Sequence, residues 1–289
     1  MRGTKRRALS PLRALLTALV LCACAASPAE RLEAPVSYPP SVRARILRIA
    51  EAEWREWGGL VAGPGLPRLL PGAEGGTEAF PRVLAYWRAV PEAEAAGAIR
   101  RNRALWSARL AGDAGAEVWS EPAWSAAFVS YVMRAAGVDE REFHASASHA
   151  FYLDAMLRDA RDFPAQAPFL PHDPFGRAPE PGDLVCADRS SRPLPSWRER
   201  VPEAGRFRPM HCDIVLHAEA GMVQAIGGNV ADAVTLTMYP TDISGRLLPR
   251  AAGEPVIFAV MENRLGALPP FRRELAIVLR MGEVNRRAK

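Results

Sequence analysis

The sequence predicts an α+β fold, with helices from the first half of the chain packed on a mostly antiparallel sheet built from the second. Three observations carry this. Up to about residue 161 the apolar residues recur at helical spacing. From about residue 183 they run in short strand-like stretches bounded by Gly, Pro, Asn and Asp. The two patterns occur in blocks rather than in alternation, which distinguishes α+β from a parallel βαβ sheet.

The first helix is read from Val42, Ile46, Ile49, Ala50, Trp54 and Trp57, and Gly58-Gly59 ends it. Residues 60–79 are a Gly/Pro-rich connector, followed by helical stretches at 82–90 and 92–111 on either side of Pro91. The next helix follows Pro122 and stops at Gly137, with Trp124, Phe128, Val132 and Ala135 as its apolar stripe. Another runs from about Ser148 to Arg161. Strands are expected at 183–187, 212–217, 222–226, 234–238 and 256–260. Between the first two strands, Asp188 to Met210 holds six arginines and four prolines, the composition of a lid or of a mobile insertion.

The two ends differ from the middle. Residues 1–23 combine a basic start, the apolar stretch Ala14-Leu-Leu-Thr-Ala-Leu-Val-Leu21 and small residues, the pattern of an export signal too short to span a bilayer. Leu21-Cys22-Ala23-Cys24 fits cleavage before Cys24 with acylation of its thiol; ordinary cleavage after Ala25 or Ala26 is the alternative. Either route takes the protein out of the cytoplasm, anchored to a membrane facing the periplasm or cell surface, or soluble in the periplasm. Residues 24–40, rich in Ala, Pro and Glu, read as a tether. The net charge of +5 resides in the signal, which holds five basic residues and no acid, so 32 basic and 32 acidic residues remain after it. That balance removes the case for a nucleic-acid partner. Residues 266–289 form a basic tail. If Cys24 is the processing site, Cys186 and Cys212 are the remaining thiols; both fall in expected strands, and the sequence leaves their pairing open.

Trp124-Ser-Ala-Ala-Phe-Val129 at a helix start, Pro181-Gly-Asp-Leu-Val185, His211-Cys-Asp-Ile-Val215 and Ile226-Gly-Gly-Asn229 follow one another in that order. The set resembles the papain-like NlpC and CHAP amidase/peptidase superfamily, and more closely the bacterial domain-of-unknown-function family 2272. The resemblance implies a papain-like domain over 116–265, preceded by a helical extension at 41–115. It also implies a nucleophile on the helix start, a histidine base on the sheet and a polar orienting residue on the next strand. Carried over, Ser125 takes the place of the usual cysteine nucleophile, His211 that of the base and Asn229 that of the orienter. The implied substrate is an amide of peptidoglycan or a wall peptide.

The serine is the departure. A helix N-terminus favours a thiolate, but a hydroxyl is far less acidic and needs a base to take its proton during attack. The same residues have plain structural readings: Ser125 as a helix-start residue, His211 as a hydrogen-bonded strand-end histidine, Asn229 as a turn residue, and Asp183 as a turn residue after Pro-Gly. Asp213, two residues along the strand from His211, shares its face and is a second candidate to orient it. Trp124, Asp183 and His149 are cleft candidates, although surface or capping roles also suit His149 and His144. Cys212 points away from His211 and is not a substitute nucleophile. No Cys/His spacing suggests a metal, and no glycine loop suggests a phosphate-bearing cofactor. Two functions follow as expectations: an envelope hydrolase using Ser125, or a silent relative that keeps the cleft to bind wall fragments or a protein.

Overall fold

The computed structural model describes residues 42–67, 69, 79–268 and 271. The expected export signal, Cys24, the expected tether and nearly all of the expected basic tail lie outside the described residues.

Helix α1 (Val42–Glu56) buries Val42, Ile46, Ala50 and Glu53, a stripe at helical spacing, and is followed by Gly58 and Gly59 at φ 88° and 67°, where a side chain would be strained. Strand β1 is two residues, Val61–Ala62. Helix α2 (Phe80–Trp87) carries Pro81 in its first turn, where the missing N–H costs nothing, and buries Phe80, Val83, Leu84, Tyr86 and Trp87. Helix α3 (Glu92–Leu110) has acids in its first turn, Arg109 in its last, and buries only Ala95, Ala98 and Asn102. Helix α4 (Ser125–Ala135) is buried along most of its length, and α5 (His149–Asp162) follows. Among the described residues no helix is long and apolar enough to cross a membrane.

The strands are β2 (Phe169–His172), β3 (Leu184–Asp188), β4 (Met210–Glu219), β5 (Met222–Val230), β6 (Ala233–Pro240) and β7 (Val256–Asn263). They form one seven-stranded sheet in the order β1-β6-β5-β4-β3-β7-β2. Every pair is antiparallel except β1 with β6 at one edge, so the fold is α+β with a mixed, mostly antiparallel sheet. The helices pack on the sheet, with α4 against β4 and β5, α1 against β4 and β6, and α5 against β2 and β4. Alternation sends Met210, Cys212, Ile214 and Leu216 into the core shared with the helices, and Val215 into a smaller cluster with Val185, Val223, Tyr239 and Leu247. Helices α1 to α3 contribute to the larger cluster together with α4, α5 and the sheet.

Two features fix the strands and loops near the centre. Cys186 and Cys212 face each other across the antiparallel β3–β4 pair and form a disulfide, their Cα atoms 4.1 Å apart, which answers the question the sequence left open. The arginine-rich segment between these strands is tied down. It forms a 3-10 helix (Trp197–Glu203) whose fully buried Arg200 makes a two-pronged ion pair with Asp154 of α5, both contacts 2.8 Å. Arg208 returns to Asp188 at 2.6 Å, and Asp188 also accepts from the backbone N–H groups of Ser190 and Leu194.

Candidate functional site

The loop that delivers Ser125 is held from α3. Buried Asn102 accepts from the Trp119 N–H at 2.6 Å and donates to the carbonyls of Ala98 and Glu121. This one side chain satisfies a left-handed residue, Trp119 at φ 64°, and the segment entering the cis Glu121-Pro122 bond. Trp124 follows, fully buried, stacked on Trp57 with ring centroids 5.3 Å apart and in tilted contact with Tyr86 at 5.5 Å. Behind them Glu53 accepts hydrogen bonds from Tyr86 and Arg82, and Trp57 donates to the Tyr86 hydroxyl at 3.0 Å. Trp124 is therefore a wall of the core rather than a cleft residue, and it sets where α4 begins.

Ser125 is the first residue of α4, 6% exposed, and its hydroxyl does not cap the helix. It pairs with His149 Nε2 at 2.7 Å. His149 is itself the first residue of α5, so two helix starts converge on this contact. The other ring nitrogen, Nδ1, lies 2.5 Å from the Tyr152 hydroxyl one turn along the same helix. Burial, and secondarily the charge of Asp213, push the Tyr152 hydroxyl well above its ordinary range, so it stays protonated. With the imidazole proton on Nδ1 and donated to Tyr152, Nε2 is the acceptor for the Ser125 hydroxyl, the arrangement a serine nucleophile requires.

His211 and Asp213 form a second group beside the first. They lie on one face of β4, with His211 Nε2 2.6 Å from Asp213 Oδ1. The approach is not that of a directed hydrogen bond: both ring nitrogens of His211 and Oδ1 of Asp213 are buried without a hydrogen-bond partner among the described residues. Asp213 Oδ2 accepts from the Tyr239 hydroxyl at 2.6 Å. The rings of His211 and His149 are 5.3 Å apart, centroid to centroid. Gly227 on the neighbouring strand makes room for the pair; a Cβ there would sit 1.9 Å from Asp213 Oδ1. Gly228 serves the other side, where a Cβ would come within 2.5 Å of the Phe128 Cβ on α4. The Gly-Gly pair is thus a close-approach feature.

The remaining candidates fall elsewhere. Asn229 adopts φ 56° at the start of the β5–β6 turn and makes no side-chain hydrogen bond to either histidine among the described residues; the carboxylate beside His211 is Asp213. Asp183 is fully buried, paired with Arg177 at 2.5 Å and accepting from the backbone N–H groups of Glu180 and Asn263, so it locks β3 to the end of β7. His149, read from the sequence only as a cleft candidate, is the residue the fold brings to Ser125. The signal available for it was Ser148 followed by His149, a capping residue and a helix start, with Tyr152 one turn on.

Burial first, then the neighbouring His211 and Arg189, hold His149 well below the ordinary histidine value of 6.5. Its folded pKa is the lower one, so on acidification the unfolded chain takes up this proton first. The stabilising contribution is complete above about pH 6.5 and is lost as pH falls below it. Unfolding free energy should therefore drop by about 1.4 kcal/mol per pH unit from this single proton. Denaturant titrations at a series of pH values should show the slope reduced by one proton in His149→Gln; an unchanged slope would show that His149 is not the group responsible.

The bacterial family described as "uncharacterized protein conserved in bacteria (DUF2272)" matches residues 74–281. The chain belongs to this family. The matched span contains Ser125, His149, Tyr152, His211 and Asp213, whereas α1, which carries Glu53, and Trp57 just after it precede that span. No curated protein and no solved structure shows significant similarity to the chain.

Proposed function

We propose that this DUF2272 protein is an exported serine-dependent amidase or peptidase of the bacterial cell envelope, acting on an amide bond of peptidoglycan or a wall peptide. The observation that carries the reading is the 2.7 Å contact between Ser125 and His149 Nε2 at the start of α4. In this reading His149 removes the hydroxyl proton as Ser125 Oγ bonds to the carbonyl carbon, and returns it to the amine as the C–N bond breaks. Water then hydrolyses the ester by the same proton transfers in reverse order. The free N–H groups and partial positive charge at the α4 start suit the oxyanion that forms at each stage. His211, with buried nitrogens lacking hydrogen-bond partners and Asp213 beside it, is the group facing this centre that is available to hold the substrate. The papain-like order of motifs supports the same class of reaction. The Cys186–Cys212 disulfide supports export, because such bonds persist in oxidising compartments. Acylation of Cys24 would hold the site against the membrane beside its polymer.

A second reading has its own observation. His149 is backed by a neutral tyrosine hydroxyl rather than by a carboxylate, and its basicity is depressed, as suits a retained binding cleft without turnover. One experiment separates them. The full chain is incubated with purified peptidoglycan and newly exposed amino groups are counted. The hydrolase reading expects release by the wild type and none by Ser125→Ala of unchanged fold. No release by the wild type, with activity gained by Ser125→Cys, would establish the binding reading instead.

A further inference from the structure

Near the start of α4 a cavity of about 1060 Å³ opens between the β5–β6 turn, β1 and the chain before β7. Ala123, two residues before Ser125, lines it, as do Arg189 and Asn229. Its volume exceeds what a single amino acid needs and suits a peptide of several residues. Its lining holds four charged side chains, two of which are already satisfied by each other: Arg250 and Glu254 pair at 2.9 Å. The other two, Arg189 and Asp232, make no ion pair and no side-chain hydrogen bond among the described residues. Among the described residues the cavity thus presents one exposed cation and one half-buried anion with no protein partner, together with the Asn229 amide.

We propose that this cavity is the substrate subsite for a zwitterionic peptide, with Arg189 receiving a carboxylate, Asp232 an ammonium group and Asn229 a peptide amide. The assignment rests on the hydrolase reading of Ser125 and names its substrate class. An arginine fork matches a carboxylate, and a lone carboxylate on a wall matches a primary amine. Opposite charges in one groove also discriminate against neutral or singly charged peptides, which would leave one of them desolvated without a partner. Asn229, carried over from the family resemblance as an orienter of His211, becomes a ligand contact.

The test is equilibrium binding of soluble muropeptides, released from peptidoglycan by a muramidase, to the full chain carrying Ser125→Ala so that no turnover intervenes. Three preparations are compared: untreated, with carboxylates amidated, and with amines acetylated. Binding of the untreated fragments is expected to weaken tenfold or more on blocking either group. Arg189→Ala should weaken it to the same degree and make it indifferent to amidation. Asp232→Asn, which tolerates the left-handed backbone at φ 61°, should make it indifferent to acetylation. Absence of binding, or binding that ignores both modifications and both variants, overturns the subsite. Turnover is scored separately on the unmutated chain. Cleavage with charge-blind binding sinks this inference alone, and charge-dependent binding without cleavage sinks the hydrolase reading alone.

Discussion

His149→Ala is expected to reduce release of amino groups from peptidoglycan by about a thousandfold or more, to the residual level of Ser125→Ala, with the double variant no worse than either single one. Residues that act as one unit lose their effect together, because the second removal finds nothing left to disable. The geometry makes the two a unit: one hydrogen bond of 2.7 Å links the hydroxyl to Nε2, and one of 2.5 Å fixes the ring from Nδ1. His211→Ala should behave differently, raising KM more than it lowers kcat, because that ring makes no hydrogen bond to the serine. If His149→Ala keeps activity within tenfold of the wild type while His211→Ala abolishes it, the proton goes to the strand histidine. The assignment drawn from the family resemblance would then be the right one.

Gly227→Ala should cost about 3 kcal/mol of stability, combining an overpacked core with a disturbed buried hydrogen-bond network. The added methyl would lie 1.9 Å from Asp213 Oδ1, 2.9 Å from its Cγ and 2.7 Å from His211 Nε2. None of these atoms can swing aside into solvent: Asp213 is 1% exposed and held by Tyr239, and His211 is packed against His149. For a chain of this size the loss corresponds to a fall in Tm of roughly 6–12 °C. Gly97→Ala is the matched control. Its Cβ would meet nothing within 4 Å on a helix, so it should leave stability unchanged or raise it by up to about 1 kcal/mol. Equal melting of the two variants would show that the β4–β5 approach is not tight.

The elements that position the site were largely legible. α4 is bounded by Pro122 and Gly137, and β4 to β7 are short stretches rich in apolar and β-branched residues that the sheet buries, so local pattern and tertiary burial agree. The edges were not. β1 is two residues that take shape only by pairing with β6, and β2, Phe169–His172, contains a proline and is too short to show alternation. The partnership of Ser125 with His149 was illegible for a different reason. It joins the first residues of two helices 24 positions apart, and no periodicity encodes how helix ends meet. Asp213 was readable because two residues along a strand share a face, a purely local rule. The close-approach role of Gly227 and Gly228 was not legible, since a glycine's sequence context does not reveal that a carboxylate and a phenyl ring occupy the space beside it.

The cross-strand disulfide also bears on how this family can diversify. Cys186 and Cys212 are separated by 26 positions, so the arginine-rich segment is a ring whose two ends are fixed covalently where β3 meets β4. Closing such a ring in advance removes about 3–4 kcal/mol of entropy from the unfolded chain. Doubling its length would change the closure term by only about 0.6 kcal/mol. Length changes within the ring therefore cost little closure entropy, and those that spare the Arg200–Asp154 and Arg208–Asp188 pairs are expected to leave the strand bearing His211 and Asp213 in place.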